Sequence, residues 1–293
     1  MHTHCIICSS QHHEKKFQCL KECKKCGLIS ADLNFTRAEI QNIYKNENYF
    51  KGGFEGMDYV NYLAEKPALE KNFQKRLSDV IQFTPNPELK SLLEIGAGYG
   101  FFLKMAQKKF KTASGIELSP HGCKYALKTL RVNMIHDDFL LCKTISEFDV
   151  ICMWDTIEHL TDPHLYIKKC FQALNKNGFL HITTGDIGSF NAKLRGAKWR
   201  MIHPPTHLFY FSRKSITKLL QNNGFEIKKI KYVGNHRTVD AYLKAIIKPK
   251  YRNTLLYKFL KSTDILNKAI PVNLYDIMHV TAKKNDLIKM KSK

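Results

Sequence analysis

"LLEIGAGYG", residues 92–100, decides the fold of this 293-residue chain. Its first half is a short apolar run and its second half a glycine turn. The residues that follow, "GFFLKMAQKKF" (100–110), carry apolar side chains at helical spacing. A strand that ends in glycines and opens a helix lets the backbone pass close to a ligand at the carboxyl edge of a sheet, because glycine has no Cβ in the way. Two familiar glycine loops do not fit. The dinucleotide pattern takes Gly96 and Gly98 but finds Phe101 at its third position, with Gly100 one residue early. The phosphate loop needs a Gly-Lys-Ser/Thr that is absent. What remains is Gly-x-Gly-x-Gly.

Outward from the loop, strands and helices alternate. "TASGIEL" (112–118) reads as a second strand, and "SPHGCKYALKTL" (119–130) as a helix with Ser119 as its cap and Pro120 at its first position. "NMIHDDF" (133–139) and "FDVICMWD" (148–155) read as the third and fourth strands. "DPHLYIKKCFQALNKNG" (162–178) reads as a helix stopping at Gly178, and "FLHITTG" (179–185) as the fifth strand. A capped helix, "SRKSITKLLQNNG" (212–224), and the strands "FEIKKIKYV" (225–233) and "LYDIMHVTAKK" (274–284) complete the series. The fold class is therefore α/β, a mostly parallel sheet with helices on both faces. Upstream, "RAEIQNIYKNE" (37–47) and "LEKNFQKRLSDVIQF" (69–83) read as helices, and "TPNPE" (84–88) as the break before the sheet.

These motifs, in this order, resemble class I S-adenosylmethionine-dependent methyltransferases, and in particular the methyltransferase-23-like subgroup. The resemblance covers about residues 88–233 and implies a Rossmann-like seven-stranded sheet. It assigns Glu94, Gly96, Ala97, Gly98, Tyr99 and Gly100 to the cofactor loop. Glu117, followed by Leu118, takes the place of the carboxylate that holds the ribose hydroxyls. Asp138 takes the acceptor for the adenine amino group, with Asp137 beside it able to fill the same role, and Phe139 and Trp154 complete the cofactor set. The reaction implied is methyl transfer by displacement at a sulfonium, in which the protein supplies positioning and proton removal.

Two stretches carry the candidate catalytic residues. "WDTIEHL" (154–160) holds Asp155, Glu158 and His159. A similar acid-x-x-Glu-His stretch holds a divalent cation in the ubiquinone-biosynthesis O-methyltransferases, and the alternative is a structural role in the loop after the fourth strand. "GAKWRMIHPPTHLFYFS" (196–212) lies on the substrate side, where His207 is the candidate base and His203, Trp199 and Tyr210 are candidate pocket residues. Tyr49, Phe50 and Tyr59, with Gly52, Gly53 and Gly56 nearby, suit either a lid over the cofactor or core packing.

The front of the chain, "CIICSSQHHEKKFQCLKECKKCGLIS" (5–30), holds five of the nine cysteines. Cys5-x-x-Cys8 and Cys23-x-x-Cys26 have the spacing of a four-cysteine zinc site, with Cys19 off the pattern and His4, His12 and His13 as alternative ligands. Four protein ligands leave no open position, so this zinc is expected to be structural, holding a segment too short to bury a core. A polar, cysteine-bearing N-terminus without a secretory signal points to the cytoplasm. No run of about 18 apolar residues is present to span a bilayer.

The expected organisation is a zinc-ribbon-like segment at 1–30 and a helical lid or linker at 31–87. The methyltransferase domain follows at 88–287, with a substrate-side insert at 188–212 and a helical insert at 240–270. Within the last, "LLYKFLKSTDILNKAI" (255–270) is amphipathic and suits a pocket cap, a dimer face or an anionic membrane surface. The net charge of +21 suits a solvated surface or an anionic partner. Acids are mixed among the lysines of 12–26, no stacking platform accompanies them, and the fourth strand ends in "WDTI" rather than (N/D/S)PP(Y/F/W). These features argue against nucleic acid. The expected activity is O-methylation of a small molecule such as a sugar, a saccharide precursor or a related metabolite. An RNA or protein methyltransferase, or an inactive zinc-ribbon interaction module, is the alternative.

Overall fold

Burial along 91–95 is that of a strand covered on both faces: Leu92, Leu93, Glu94 and Ile95 are all buried, as expected inside a parallel sheet. The computed structural model describes residues 3–33, 35–46, 50, 62–143, 147–246, 254, 259–260 and 262–285. The chain opens with β1 (His13–Phe17), β2 (Leu20–Cys23) and β3 (Ile29–Ala31). Helices α1 (Arg37–Lys45) and α2 (Lys66–Phe83) follow. Then come β4 (Ser91–Ile95), α3 (Phe101–Ala106), β5 (Thr112–Glu117), α4 (Pro120–Tyr125), β6 (Asn133–His136), β7 (Phe148–Trp154), α5 (Pro163–Ala173) and β8 (Leu174–Gly185). The last part holds α6 (Phe190–Arg195), β9 (Phe209–Tyr210), α7 (Arg213–Asn222), β10 (Phe225–Tyr232), β11 (Asn235–Thr238), α8 (Val239–Ile246), β12 (Ala269–Val272) and β13 (Ile277–Lys284).

Seven strands hydrogen-bond in the order β10-β13-β8-β7-β4-β5-β6. The pairs from β8 to β6 are parallel, and β13 runs antiparallel to both β8 and β10. The expected Rossmann-like seven-stranded sheet is thus present. Order reverses at β4, so the carboxyl ends of β4, β5 and β7 open a crevice at the switch point. One face of the sheet buries Ile151, Met153 and Ile182 under α5 and α7. The other buries Leu92, Val150 and Cys152 under α2 and α3. Fully burying one such aliphatic side chain stabilises the fold by about 1.5–3 kcal/mol.

Local signals set the helix starts. Thr36 and Glu39 form a reciprocal cap on α1, Ser119 accepts the Gly122 amide at the start of α4, and Ser212 accepts the Ser215 amide at the start of α7.

Three sequence expectations need correction. The helix read to Gly178 stops at Ala173, because Leu174 pairs with Phe148 and begins β8. The left-handed residue there is Asn177, not Gly178. Among the described residues of the insert at 240–270, α8 is followed at Ala269–Val272 by a strand paired with β11, a pairing the amphipathic pattern did not reveal. Much of 255–261 lies outside the described residues. Finally, the N-terminal strands are not a self-contained ribbon, since β9 from the substrate-side insert joins them in the order β1-β2-β3-β9.

Candidate active site

The crevice at the switch point is a cavity of about 1650 Å³ including its open mouth. Its candidate cofactor end is built by the glycine turn. Gly96, Gly98 and Gly100 all have positive φ, and a Cβ on Gly96 would lie 2.6 Å from the Thr156 side chain. Glu117, at the end of β5, accepts the Gly98 amide on one oxygen and the Ser119 amide on the other, each at 2.8 Å. Each oxygen keeps a lone pair, so the carboxylate can still receive a vicinal diol. Burial pushes the Glu117 pKa up, against the amides of Ser119 and Gly98, which pull it down. Trp154 lines the cavity, and its indole N–H is buried with no hydrogen-bond partner among the described residues.

Two carboxylates at this end are not open. Asp138 Oδ2 accepts from Arg37 (2.7 Å) and Gln41 (2.8 Å), and Oδ1 from the Leu140 amide (2.9 Å) and the Tyr166 hydroxyl (2.5 Å). Its side chain ties α1 to the end of β6 and stays out of the cavity wall, where Asp137 stands instead. Glu94 is buried beneath the loop, with Oε2 unpartnered among the described residues, and desolvation raises its pKa far above the ordinary value.

The candidate acceptor end is assembled from distant segments. Asp155, at φ +49°, accepts from Thr183 Oγ1 and from Arg76, both at 2.8 Å. Both of its oxygens are thus engaged by partners on other elements. His207 Nδ1 donates to the Met201 carbonyl at 2.9 Å, and His159 Nδ1 donates to the Thr206 carbonyl at 2.8 Å. A carbonyl only accepts, so each ring carries a proton on Nδ1; His159 Nδ1 also lies 3.1 Å from the Tyr44 hydroxyl. His207 sits 4.5 Å from His159 and 3.7 Å from His203, ring centre to ring centre. Burial, and then the neighbouring imidazoles His159 and His203, hold its pKa well below the ordinary value, so it is neutral at pH 7. Glu158, 2% exposed, has little beyond a weak interaction with Thr184, and burial followed by the Asp155 charge pushes its pKa up to about 8. Ligand atoms of Glu158, His159 and His207 lie within 4.8 Å of one another. Asp155, expected in such a set, is replaced by His207.

A family model described as a methyltransferase domain matches residues 69–230, more than half of the chain. The chain belongs to this methyltransferase family. The ubiquinone biosynthesis O-methyltransferase of Pelagibacter ubique is 25% identical over 182 residues, 58% of this chain and 73% of that one. Caffeic acid 3-O-methyltransferase of Medicago sativa is 27% identical over 135 residues, 42% of this chain and 36% of that one. Among solved structures, magnesium protoporphyrin IX methyltransferase of Synechocystis PCC 6803, determined with bound SAH, superimposes with a TM-score of 0.55 at 10% identity, covering 85% of this chain and 100% of that one. The methyltransferase is thus an S-adenosylmethionine-dependent enzyme of class I.

Of the residues that the sequence assigned to its site, Gly96, Gly98, Glu117, Leu118, Phe139 and Trp154 line the cavity, as do Asp155, His159 and His207. Ala97, Tyr99 and Gly100 shape the turn from behind, together with Glu94. Trp199 and Tyr210 belong to the core: the Trp199 indole donates to Asp276 at 2.9 Å, and the Tyr210 hydroxyl to the His207 carbonyl at 3.1 Å. Phe50 is buried against Tyr99, while Tyr49, Tyr59, Gly52, Gly53 and Gly56 lie outside the described residues. Sequence reasoning missed Asn72 and Arg76, which α2 brings to the cavity wall. Their signal was available, since both stand on the buried stripe with Leu69, Phe73, Leu77 and Val80. Polar residues on an apolar stripe need a reason.

At the N-terminus of the methyltransferase, Cys5, Cys8, Cys23 and Cys26 place their sulfurs within 4.8 Å of one another, with Cys5–Cys26 at 3.4 Å and Cys8–Cys23 at 3.5 Å. These separations exceed a disulfide bond of about 2 Å and suit four thiolates about 2.3 Å from one tetrahedral ion. Burial raises the Cys23 pKa, but the Cys26 amide, the Cys8 thiol and the Lys25 amide outweigh it and hold Cys23 at about 7. Among the described residues no helix is long and apolar enough to cross a membrane.

Proposed function

We propose that this methyltransferase transfers its methyl group to a hydroxyl of a small cytoplasmic metabolite, with His207 as the proton acceptor. The observation that carries this reading is a buried, neutral imidazole with its Nδ1 proton already committed to a carbonyl, in the wall of the cavity that the glycine turn opens. S-adenosylmethionine, when bound, supplies an electrophilic methyl on a sulfonium. Glu117 would hold the ribose hydroxyls, and Asp137, rather than the engaged Asp138, would meet the adenine amino group. The acceptor oxygen loses its proton to Nε2 of His207 as it attacks, and the Nδ1–H bond to Met201 keeps the ring in the accepting tautomer. The O-methyltransferase relatives support oxygen as the atom modified. Arg76, Asn72, Arg200 and Asn235 give the acceptor lobe a polar lining that suits a sugar, a saccharide precursor or another anionic or hydroxylated metabolite. Zinc at Cys5, Cys8, Cys23 and Cys26 is read as structural.

A second reading follows from the Glu158, His159 and His207 cluster. Both Nδ1 protons are given to carbonyls, an arrangement that commonly orients histidine ligands, so a divalent cation held by these three could bind the acceptor oxygen in place of a base. One experiment separates the two readings. S-adenosylmethionine turnover is followed with a panel of catechol, hexose and sugar-nucleotide acceptors, before and after removal of loosely held cations. The base reading expects activity without added Mg2+ or Mn2+ and its loss in His207→Gln. Activity that vanishes on stripping and returns with the cation supports the second reading. Methylation confined to added RNA or protein would overturn both.

A further inference from the structure

The cysteine module packs behind the wall of the acceptor site. β3 pairs antiparallel with β9, placing Ile29 opposite Tyr210 and Ser30 opposite Phe209. The Ala31 amide donates to the Leu208 carbonyl at 2.8 Å, while the Leu208 amide donates to the Glu158 carbonyl at 2.8 Å. Leu208, the residue after His207, is therefore held on one side by the module and on the other by the loop after β7. Side chains repeat this bridge. Met201, whose carbonyl fixes the His207 ring, shares an apolar cluster with Leu20, Ile29, Ala31 and Tyr210. Cys5, Cys23 and Cys26 share another with Leu208, Phe209 and Phe211. On the far side of the module, Asn222 donates to the Ile7 carbonyl at 2.9 Å.

We propose that the four-cysteine module is a positioning element of the acceptor site: through β3, and through Ala31 above all, it holds the segment 201–211 in the register that keeps His207 in its Nδ1–H tautomer. β9 is two residues long, and β3 is its neighbour in the sheet. A strand so short does not hold its shape without a partner. The module in turn is too small to bury a core of its own, so metal at the cysteines would set how firmly β3 is held. The cofactor loop hangs on β4 and β5, in a different sheet. Metal occupancy and cofactor affinity are thus separable, and the module acts on the acceptor half of the cavity. The consequence for rate rests on the reading of His207 as base; the hold on His207 does not.

The test uses full-length zinc-loaded protein with 15N-labelled histidine, compared with Ala31→Pro. Proline at 31 removes the donor to Leu208 and leaves all four cysteines in place; the neighbouring Asp32 amide keeps its bond to the Cys19 carbonyl. Measured are zinc content, S-adenosylmethionine affinity by calorimetry, the His207 ring-nitrogen tautomer and amide exchange over 207–211. The expected result is one zinc per chain, cofactor affinity within about twofold, loss of the Nδ1–H signature and exchange at least about tenfold faster. Cys26→Ser is expected to give the same two local changes more strongly. An unchanged tautomer and unchanged protection in Ala31→Pro would overturn the proposal, as would a loss of cofactor affinity in step with them. A His207→Gln enzyme that still turns over would sink the base reading and leave this inference standing.

Discussion

The two ends of the cavity are built on different plans. The cofactor end is centred on one short run: β4, the glycine turn and β5 supply Gly96, Gly98 and Glu117 within residues 91–119, and Asp137, Phe139 and Trp154 join from just after β6 and the end of β7. The acceptor end draws Asn72 and Arg76 from α2, Asp155 and His159 from the loop after β7, and His207 from the insert, with the cysteine module behind it. A local turn can be specified by its own glycines. An assembled site depends on contacts between segments far apart in the chain, and so the two ends should fail differently when disturbed.

The largest effect is expected at the acceptor end. His207→Gln should lower kcat by about 100- to 10,000-fold, the range of a lost general base, and leave S-adenosylmethionine affinity within about twofold. Steady-state kinetics beside calorimetry checks the separation. Because burial depresses the His207 pKa, the imidazole stays basic as pH falls through the ordinary histidine range near 6.5. The acid limb of kcat/KM should therefore lie below pH 6.5. A limb at 6.5 or above would show a solvated ring.

The cofactor end should respond at the level of binding. Gly96→Ala places a methyl 2.6 Å from Thr156 on a backbone of φ +73°, with a strain of about 1–3 kcal/mol. Cofactor affinity should drop about tenfold or more, while His207 keeps its tautomer. Calorimetry and the histidine spectrum together test whether the ends are independent.

The smallest effect belongs beneath the cavity floor, where Asp79 joins α2 to β13 and β10. Burial raises its pKa, but hydrogen bonds from His279 and Lys231 outweigh that and hold it at about 2. A carboxylate with a depressed folded pKa contributes stability that is present above its unfolded value of about 3.9 and lost as pH falls toward 2. Asp79→Asn should cost about 1 kcal/mol at pH 7, and the difference from wild type should shrink below pH 4 in denaturant titrations. Activity near neutral pH should scarcely change.

The difference between the ends also explains what could be read in advance. Strand, glycine turn, capped helix and the acid at 117 are neighbours in sequence, and the seven-stranded sheet follows from their alternation. Nothing local in the sequence shows that Arg37 and Gln41, about a hundred residues earlier, occupy the Asp138 carboxylate and hold it out of the cavity wall. The Arg76 partner of Asp155 is hidden in the same way, since it lies on a helix almost eighty residues earlier. The β11–β12 hairpin joins strands more than thirty residues apart and leaves no two-residue turn signal. The β3–β9 pair joins segments about 180 residues apart: each strand alone is too short to announce a partner, yet their pairing turns the cysteine segment from an appendage into the backing of the site.

The most direct measurement is a pair of calorimetric titrations with S-adenosylmethionine, one on Glu117→Ala and one on His207→Ala, each beside wild type. Glu117→Ala removes the acceptor for the Gly98 and Ser119 amides and, on the proposed reading, for the ribose, and should weaken binding at least about 100-fold, or about 2.7 kcal/mol. His207→Ala should bind as wild type does. Retained affinity in Glu117→Ala, or equal loss in both variants, would contradict a cofactor end and an acceptor end built as separate units.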